Sequence, residues 1–293
     1  MTLQRILVAT DFSAASERAI VRAGMVARDA GAALECLHVV PDSWLAELRA
    51  WLAGSGVELP EGLASIEARL ANFVASDLQR CGIGATTKVM LGSPADAIAA
   101  RAADGADLVV IGAHGRNFVR ELFLGSTAIA VLARVAAPVL VVRRPADHPY
   151  GSVVVGTDFS PASAAAARLV SGIAPRARLT LLHAYEDPYG AEVLLGGARP
   201  DVVEHYRAAA YARARGAMDA FARELGALDA KVGFELRHGP PALKLIEAAE
   251  SGLTDLVALG VRRKPALEAL FLGSVSAHVV AESPCDVLVV RET

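Results

Sequence analysis

The sequence predicts an α/β fold built twice, each copy a parallel sheet with helices on both faces. Three observations carry this. Short apolar runs such as Arg5-Ile-Leu-Val-Ala9 and Asp107-Leu-Val-Val-Ile111 lack alternation and read as strands buried on both faces. Segments with apolar residues at helical spacing separate them, the order expected of a parallel sheet. The whole pattern then recurs at half the chain length, which means two copies of one domain. A chain of 293 residues has room for a substantial core in each.

The first half begins with the strand Arg5 to Ala9 and the turn Thr10-Asp11-Phe12-Ser13. Ser13 is placed to cap a helix that carries Glu17 early and runs to about Ala30, ending at Gly31. Ala33 to Val39 is the second strand, and residues 41 to 62 form a mixed segment with Gly54, Gly56 and Pro60. Leu63 to Arg80 has helical spacing and stops at Gly82 and Gly84. Ala85 to Leu91 is the third strand. Gly92-Ser93-Pro94 starts a helix with proline at its first position, and this helix ends near Gly105. Asp107 to Ile111 is the fourth strand, Ala128 to Arg134 is helical, and Val139 to Val142 is the fifth strand.

The second half echoes these elements residue by residue. Val155-Gly-Thr-Asp-Phe-Ser160 matches Val8-Ala-Thr-Asp-Phe-Ser13, and Leu179 to His183 matches Leu34 to His38. Asp255-Leu-Val-Ala-Leu259 repeats the fourth strand, Phe271-Leu-Gly-Ser274 repeats Phe123-Leu-Gly-Ser126, and Val287 to Val290 repeats the fifth strand. The join, Arg143 to Gly151, carries Pro145 and Pro149, so the domains are expected at 1–146 and 147–293.

Between the fourth strand and its helix lies Gly112-Ala-His-Gly115, then nine residues, then Gly125-Ser126-Thr127. Glycine at the end of a buried strand lets the backbone turn sharply and lie against a ligand. Ser126 or Thr127 is placed to cap the following helix, whose free amides form an anion site. The stretch is therefore expected to be a phosphate cradle. It is neither a Walker A loop, since no Gly-Lys-Ser/Thr follows, nor the dinucleotide fingerprint, whose glycine spacing differs.

Composition excludes several classes. Apolar residues make up 54% of the chain, yet no run approaches the ~18 residues needed to cross a membrane. The N-terminus has no signal-peptide layout and enters a strand at once. Net charge is −3 with both signs interspersed, and no basic block supports nucleic-acid binding. Cys36, Cys81 and Cys285 are an odd number with no CxxC spacing and read as buried reduced thiols, which places the protein in the cytoplasm. No cluster has zinc spacing.

The strand-Thr-Asp-Phe-Ser start, the Leu-x-x-Leu-His strand and the Gly-x2-Gly-x9-Gly-Ser stretch together resemble the universal stress protein family, here in a tandem form covering essentially the whole chain. The resemblance implies two Rossmann-like domains, each a five-stranded parallel sheet in the order 3-2-1-4-5. It also implies binding of ATP, with AMP or ADP as alternatives and Mg accompanying ATP, although some members bind no nucleotide. In that order strands 1 and 4 are neighbours and the crevice at their carboxyl ends is the ligand position. The implied site residues are Thr10, Asp11, Val40, Gly112, His114, Gly115, Arg116, Gly125, Ser126 and Thr127. Asp11 should face the nucleoside, because a carboxylate repels phosphate and accepts hydrogen bonds from ribose hydroxyls or an adenine amine. Val40 matches the position whose backbone meets the base; the glycines, Ser126 and Thr127 match the phosphate side.

Plainer uses stand beside these. Asp11 can cap the turn after it, and the glycines can serve turns alone. His38 and His183 suit structural hydrogen bonds at strand ends, and Ser13 and Ser160 suit helix caps rather than nucleophiles. The stretch Val202 to Leu225 mixes four arginines with acids and reads as a solvated helix face.

The second copy departs from the pattern: it reads Gly260-Val-Arg-Arg263, then Gly273-Ser274, so Arg263 replaces the second glycine. Arg263 either fills the phosphate place as a built-in cation, flanked by Arg262 and Lys264, or grips an anionic ligand with its guanidinium. The first is preferred, because the side chain leaves no room for a triphosphate. The sequence thus reads as a nucleotide-responsive stress regulator or protective factor with one intact site. A slow ATPase or nucleotidyl-transfer enzyme is the alternative, with no catalytic residue assigned and at most weak hydrolysis expected. A module for a non-nucleotide ligand, covered by the segment Tyr185 to Pro200, is another. The charge-free fifth strands are apolar edges, expected to face each other in an intramolecular pseudo-dimer, with a homodimer as a further arrangement.

Overall fold

A computed structural model of the chain describes residues 3–42, 62–115, 124–186, 199–226, 232–262 and 272–292. It divides into two compact units, with the boundary between Pro149 and Tyr150.

Unit 1 runs β1 (Arg5–Thr10), α1 (Ala14–Ala30), β2 (Ala33–Val40), α2 (Gly62–Cys81), β3 (Thr86–Leu91), α3 (Pro94–Ala103), β4 (Leu108–Gly112), α4 (Ser126–Arg134) and β5 (Val139–Val142). Every pairing is parallel. β1 lies between β2 and β4, β3 pairs with β2, and β5 pairs with β4, which is the order 3-2-1-4-5. Val8 meets Cys36 on one side and Val110 on the other. The central strands are buried without alternation, as a sheet covered on both faces requires: Ile6, Leu7, Val8, Leu108, Val109 and Val110 are all in the core. α1 packs against α2, and α3 against α4. The chain leaves β1 toward β2 and leaves β4 toward β5, so the strand order reverses between them and opens a crevice at their carboxyl ends.

Local signals explain the ends of α1. The Ser13 hydroxyl accepts from the Ser16 amide at 3.2 Å, and Gly31 closes the helix in the left-handed region at φ 66°. α4 differs from expectation: it starts at Ser126, and its cap is Gly125, with no side-chain hydrogen bond. The hydroxyl residues fall one and two places inside the helix, where their side chains no longer reach back to the first amides.

Unit 2 repeats the plan with β6 (Ser152–Gly156), α5 (Pro161–Ile173), β7 (Arg178–Tyr185), α6 (Pro200–Leu225), β8 (Val232–His238), α7 (Pro241–Glu250), β9 (Leu256–Val261), α8 (Ser274–Glu282) and β10 (Asp286–Arg291). β6 is central, flanked by β7 and β9, with β8 and β10 outside them. α6 is a solvated helix along much of its length, as its mixed charges predict; the Arg215–Asp219 pair at 3.1 Å is exposed on both sides.

The glycine that ends β4 has a packing reason. A Cβ at Gly112 would lie 2.8 Å from the carbonyl carbon and oxygen of Ala15, in the first turn of α1. At Gly260 it would lie 2.2 Å from the Ala162 carbonyl carbon, in the first turn of α5. These glycines let the first turn of each unit's leading helix close onto the sheet beside the crevice.

Candidate ligand site at the ends of β1 and β4

In unit 1 the turn after β1 is built from its own side chains. The Thr10 hydroxyl, buried, shares a hydrogen bond with Ser16 at 2.9 Å and accepts from the Phe12 amide at 3.1 Å. Asp11 Oδ1 accepts from the Ser13 amide at 3.1 Å. Phe12 sits at φ 62°, a left-handed conformation that costs a bulky residue roughly 1–2 kcal/mol. Its ring lies 4.5 Å from His38 and 5.2 Å from Phe73, centroid to centroid, with the Arg69 guanidinium 4.9 Å over it. Aromatic pairs contribute about 0.5–1.5 kcal/mol each beyond burial, enough to offset the strain. His38 Nδ1–H donates to the Thr10 carbonyl at 2.8 Å, so its role at the strand end is structural.

Three stretches meet at this turn. A Cβ on Gly115 would stand 3.0 Å from Asp11 Oδ2, which puts the Gly115 backbone beside that carboxylate oxygen. The Gly125 amide donates to the Ala113 carbonyl at 2.8 Å, and a Cβ there would lie 3.6 Å from His114 Cα. The two ends of the glycine stretch are thereby drawn together. α4 opens from this point with a glycine cap, which supplies no capping side chain to its first amides. Ser126 and Thr127 are exposed, and neither hydroxyl has a hydrogen-bond partner among the described residues.

Of the residues singled out from the sequence, Asp11, His114, Gly115, Gly125, Ser126 and Thr127 belong to this assembly. Thr10 supports it from the buried side. Gly112 borders it, but its lack of a side chain is spent on the contact with α1. Val40 ends β2 with its side chain in the core; its carbonyl accepts from the Gly92 amide at 3.1 Å. Arg116 and Arg263 lie outside the described residues, as do residues 187–198 of the segment expected to cover a second pocket.

Unit 2 rebuilds the turn closely. Asp158 Oδ1 accepts from the Ser160 amide at 3.1 Å, His183 Nδ1–H donates to the Thr157 carbonyl at 2.8 Å, and Phe159, at φ 63°, lies 4.2 Å from His183. The other carboxylate oxygen differs: Asp158 Oδ2 accepts from Arg262 Nη2 at 2.7 Å. Burial would raise the Asp158 pKa. The Ser160 hydroxyl and amide and the Arg262 guanidinium outweigh it and hold the carboxyl below its ordinary value. The cap of α8, Gly273, has φ 73°, against −66° at Gly125.

Sequence reasoning did not assign a role to Phe12 or Phe159, although their repetition inside Thr-Asp-Phe-Ser was the available signal. It looked to Arg263, flanked by Arg262, for the cation of unit 2; Arg263 lies outside the described residues, and the described contact to Asp158 comes from Arg262. Among the described residues no group of His, Cys, Asp and Glu is arranged to hold a metal, and no helix is long and apolar enough to cross a membrane.

Fold and site together define a tandem pair of Rossmann-like domains whose candidate ligand crevice lies at the strand reversal of each sheet. The universal stress protein family model matches residues 2–143 and 149–291, and the chain belongs to that family. A universal stress protein of Mycolicibacterium smegmatis is 28% identical over 297 aligned residues, covering 98% of this chain and 96% of its own. One from Thermus aquaticus is 37% identical over 143 residues, 46% of this chain and 93% of its own. The crystal structure of a universal stress protein from Archaeoglobus fulgidus superposes over 100% of both chains with a TM-score of 0.71 at 18% identity, a likeness of fold.

Proposed function

We propose that unit 1 binds ATP in the crevice between β1 and β4 and that the protein acts as a nucleotide-responsive stress regulator or protective factor in the cytoplasm. The observation that carries this is the convergence of the Asp11 carboxylate, the Gly115 backbone and the glycine-capped start of α4. An acidic acceptor beside an anion-binding helix end suits a molecule with hydroxyl and amine donors at one end and phosphates at the other. Asp11 takes the nucleoside end, with the Val40 backbone near the base. Gly115, Gly125, Ser126 and Thr127 take the phosphates, and His114 and Arg116 belong to the same loop. Mg accompanies the phosphates. The buried reduced thiols of Cys36, Cys81 and Cys285 support a cytoplasmic setting.

Gly115→Val tests the reading. Among the described residues its Cβ meets Asp11 Oδ2 alone, so the fold should tolerate it, while the branched side chain fills the ligand's place. ATP affinity measured by calorimetry should fall at least tenfold, about 1.4 kcal/mol. Unchanged affinity would mean that ATP does not lie there. Phosphate release assayed alongside separates a regulator from a slow ATPase.

A further inference from the structure

We propose that unit 1 carries a second binding site, at the opposite end of its sheet from the β1/β4 crevice, for a small carboxylate that also bears an amine or hydroxyl group. A cavity of about 230 Å³ opens where β1, β2 and β3 begin and α3 ends. Pockets for drug-sized molecules run to about 300–1,000 Å³, so this one suits a small metabolite. One part of its lining is a closed charge network. Arg101 donates from Nε and Nη2 to the two Glu35 oxygens, both at 2.6 Å, and from Nη1 to Asp104 Oδ2 at 2.8 Å. The Glu35 bonds, followed by the Asp104 bond, hold the Arg101 pKa above its ordinary value, so this guanidinium stays charged and already balanced.

The other cation in the lining, Arg5, is not balanced in this way. Its guanidinium has no hydrogen-bond or ion-pair partner among the described residues. It rests on Gly105, where a Cβ would overlap Nη2 and stand 2.8 Å from the guanidinium carbon. Folding does not require the group. Unit 2 builds the same strands and helix with Ser152, Thr180, Ala248 and Ser251 at the places of Arg5, Glu35, Arg101 and Asp104. At Gly252, the counterpart of Gly105, a Cβ would meet nothing within 4 Å.

An arginine fork matches the two oxygens of a carboxylate. The Glu35 and Asp104 oxygens keep lone pairs, and the Thr86 hydroxyl, which donates to the Leu34 carbonyl at 3.5 Å, keeps its own; all can accept from an amine or a hydroxyl. Two arginines against two carboxylates leave the lining without net charge. A phosphate would press extra negative charge against Glu35 and Asp104, and a simple amine would leave Arg5 unmatched. A small amino or hydroxy acid serves both ends.

Calorimetry on the full chain tests this, with the twenty standard amino acids, lactate and malate titrated singly and inorganic phosphate and ethylamine as comparisons. At least one of the acids should bind as one equivalent. Its affinity should fall at least tenfold in Arg5→Ala and by less in Arg5→Lys, which keeps the charge and loses the fork. Arg5 is exposed and has no partner to lose, so both variants should unfold at the parent's temperature. No binding by any of the acids up to about 10 mM, an affinity unchanged in Arg5→Ala, or phosphate or ethylamine binding as tightly as the acids would overturn the proposal.

Discussion

Adding one methyl group at the end of β4 or β9 should cost stability by an amount that the geometry ranks. At Gly112 the new Cβ would lie 2.8 Å from the Ala15 carbonyl carbon and oxygen and 3.1 Å from the Ser16 amide nitrogen. At Gly260 it would lie 2.2 Å from the Ala162 carbonyl carbon and 2.3 Å from the Ser163 nitrogen. Comfortable carbon contacts are about 3.5–4.0 Å. Every clashing atom is backbone in the first turn of α1 or α5, and those turns are pinned by the Ser13 and Ser160 caps. No side chain can swing away, so the helix must shift. Overpacking of this kind costs about 1–3 kcal/mol, and alanine returns about 0.4–1 kcal/mol by restricting the unfolded chain. Gly112→Ala should therefore destabilise unit 1 by about 1–2 kcal/mol, and Gly260→Ala should destabilise unit 2 by about 2 kcal/mol or more. Scanning calorimetry of the full chain should show the affected transition lowered by several degrees, at about 2–4 °C per kcal/mol. An unmoved transition, or a larger effect at Gly112 than at Gly260, would refute the packing argument and return Gly112 to a purely ligand-facing role.

Three more outcomes are expected. The Asp158 carboxyl has a depressed pKa in the folded state, so its contribution to stability is present above the ordinary carboxylate range and is lost as pH falls through the folded value. In Arg262→Ala its carboxyl carbon should titrate at higher pH by NMR, and an unshifted midpoint would deny the guanidinium its role. Cys36 is pushed up to about 12 by burial and then by the neighbouring Glu35 charge, so it should resist alkylation at pH 8 in the folded protein; rapid labelling would contradict its burial. A fragment of residues 1–146 should self-associate in sedimentation experiments, because Val139-Leu-Val-Val142 is an apolar edge without a charge, and a monomer at high concentration would remove that inference.

Most of the fold was legible because its signals are local. The apolar runs became β1 to β5 and, in the second copy, β6, β7, β9 and β10, whereas β8, Val232–His238, has no buried residue and was not read as a strand; Ser13 and Gly31 cap α1 where their types predict, and the repeat of Thr-Asp-Phe-Ser maps onto two turns with the same hydrogen bonds. The start of α4 was legible only in part. A hydroxyl residue was expected at the cap, but Gly125 is held there by its amide, which donates a hydrogen bond to the Ala113 carbonyl, a contact between residues twelve apart that no local propensity encodes. The cost of a side chain at Gly112 depends on where α1 begins, which is a packing fact. Arg262 was named only as a flank of Arg263, because the glycine spacing drew attention to that position; its pairing with Asp158 joins residues 104 apart, which no local pattern encodes.

The central claim is that ATP is seated in unit 1, between β1 and β4. Its most direct test is the dissociation constant for ATP, by calorimetry, of the wild-type chain and of Gly115→Val. The account predicts binding by the wild type and an affinity at least tenfold lower in the variant. No binding by the wild type, or an unchanged affinity in Gly115→Val, would contradict it.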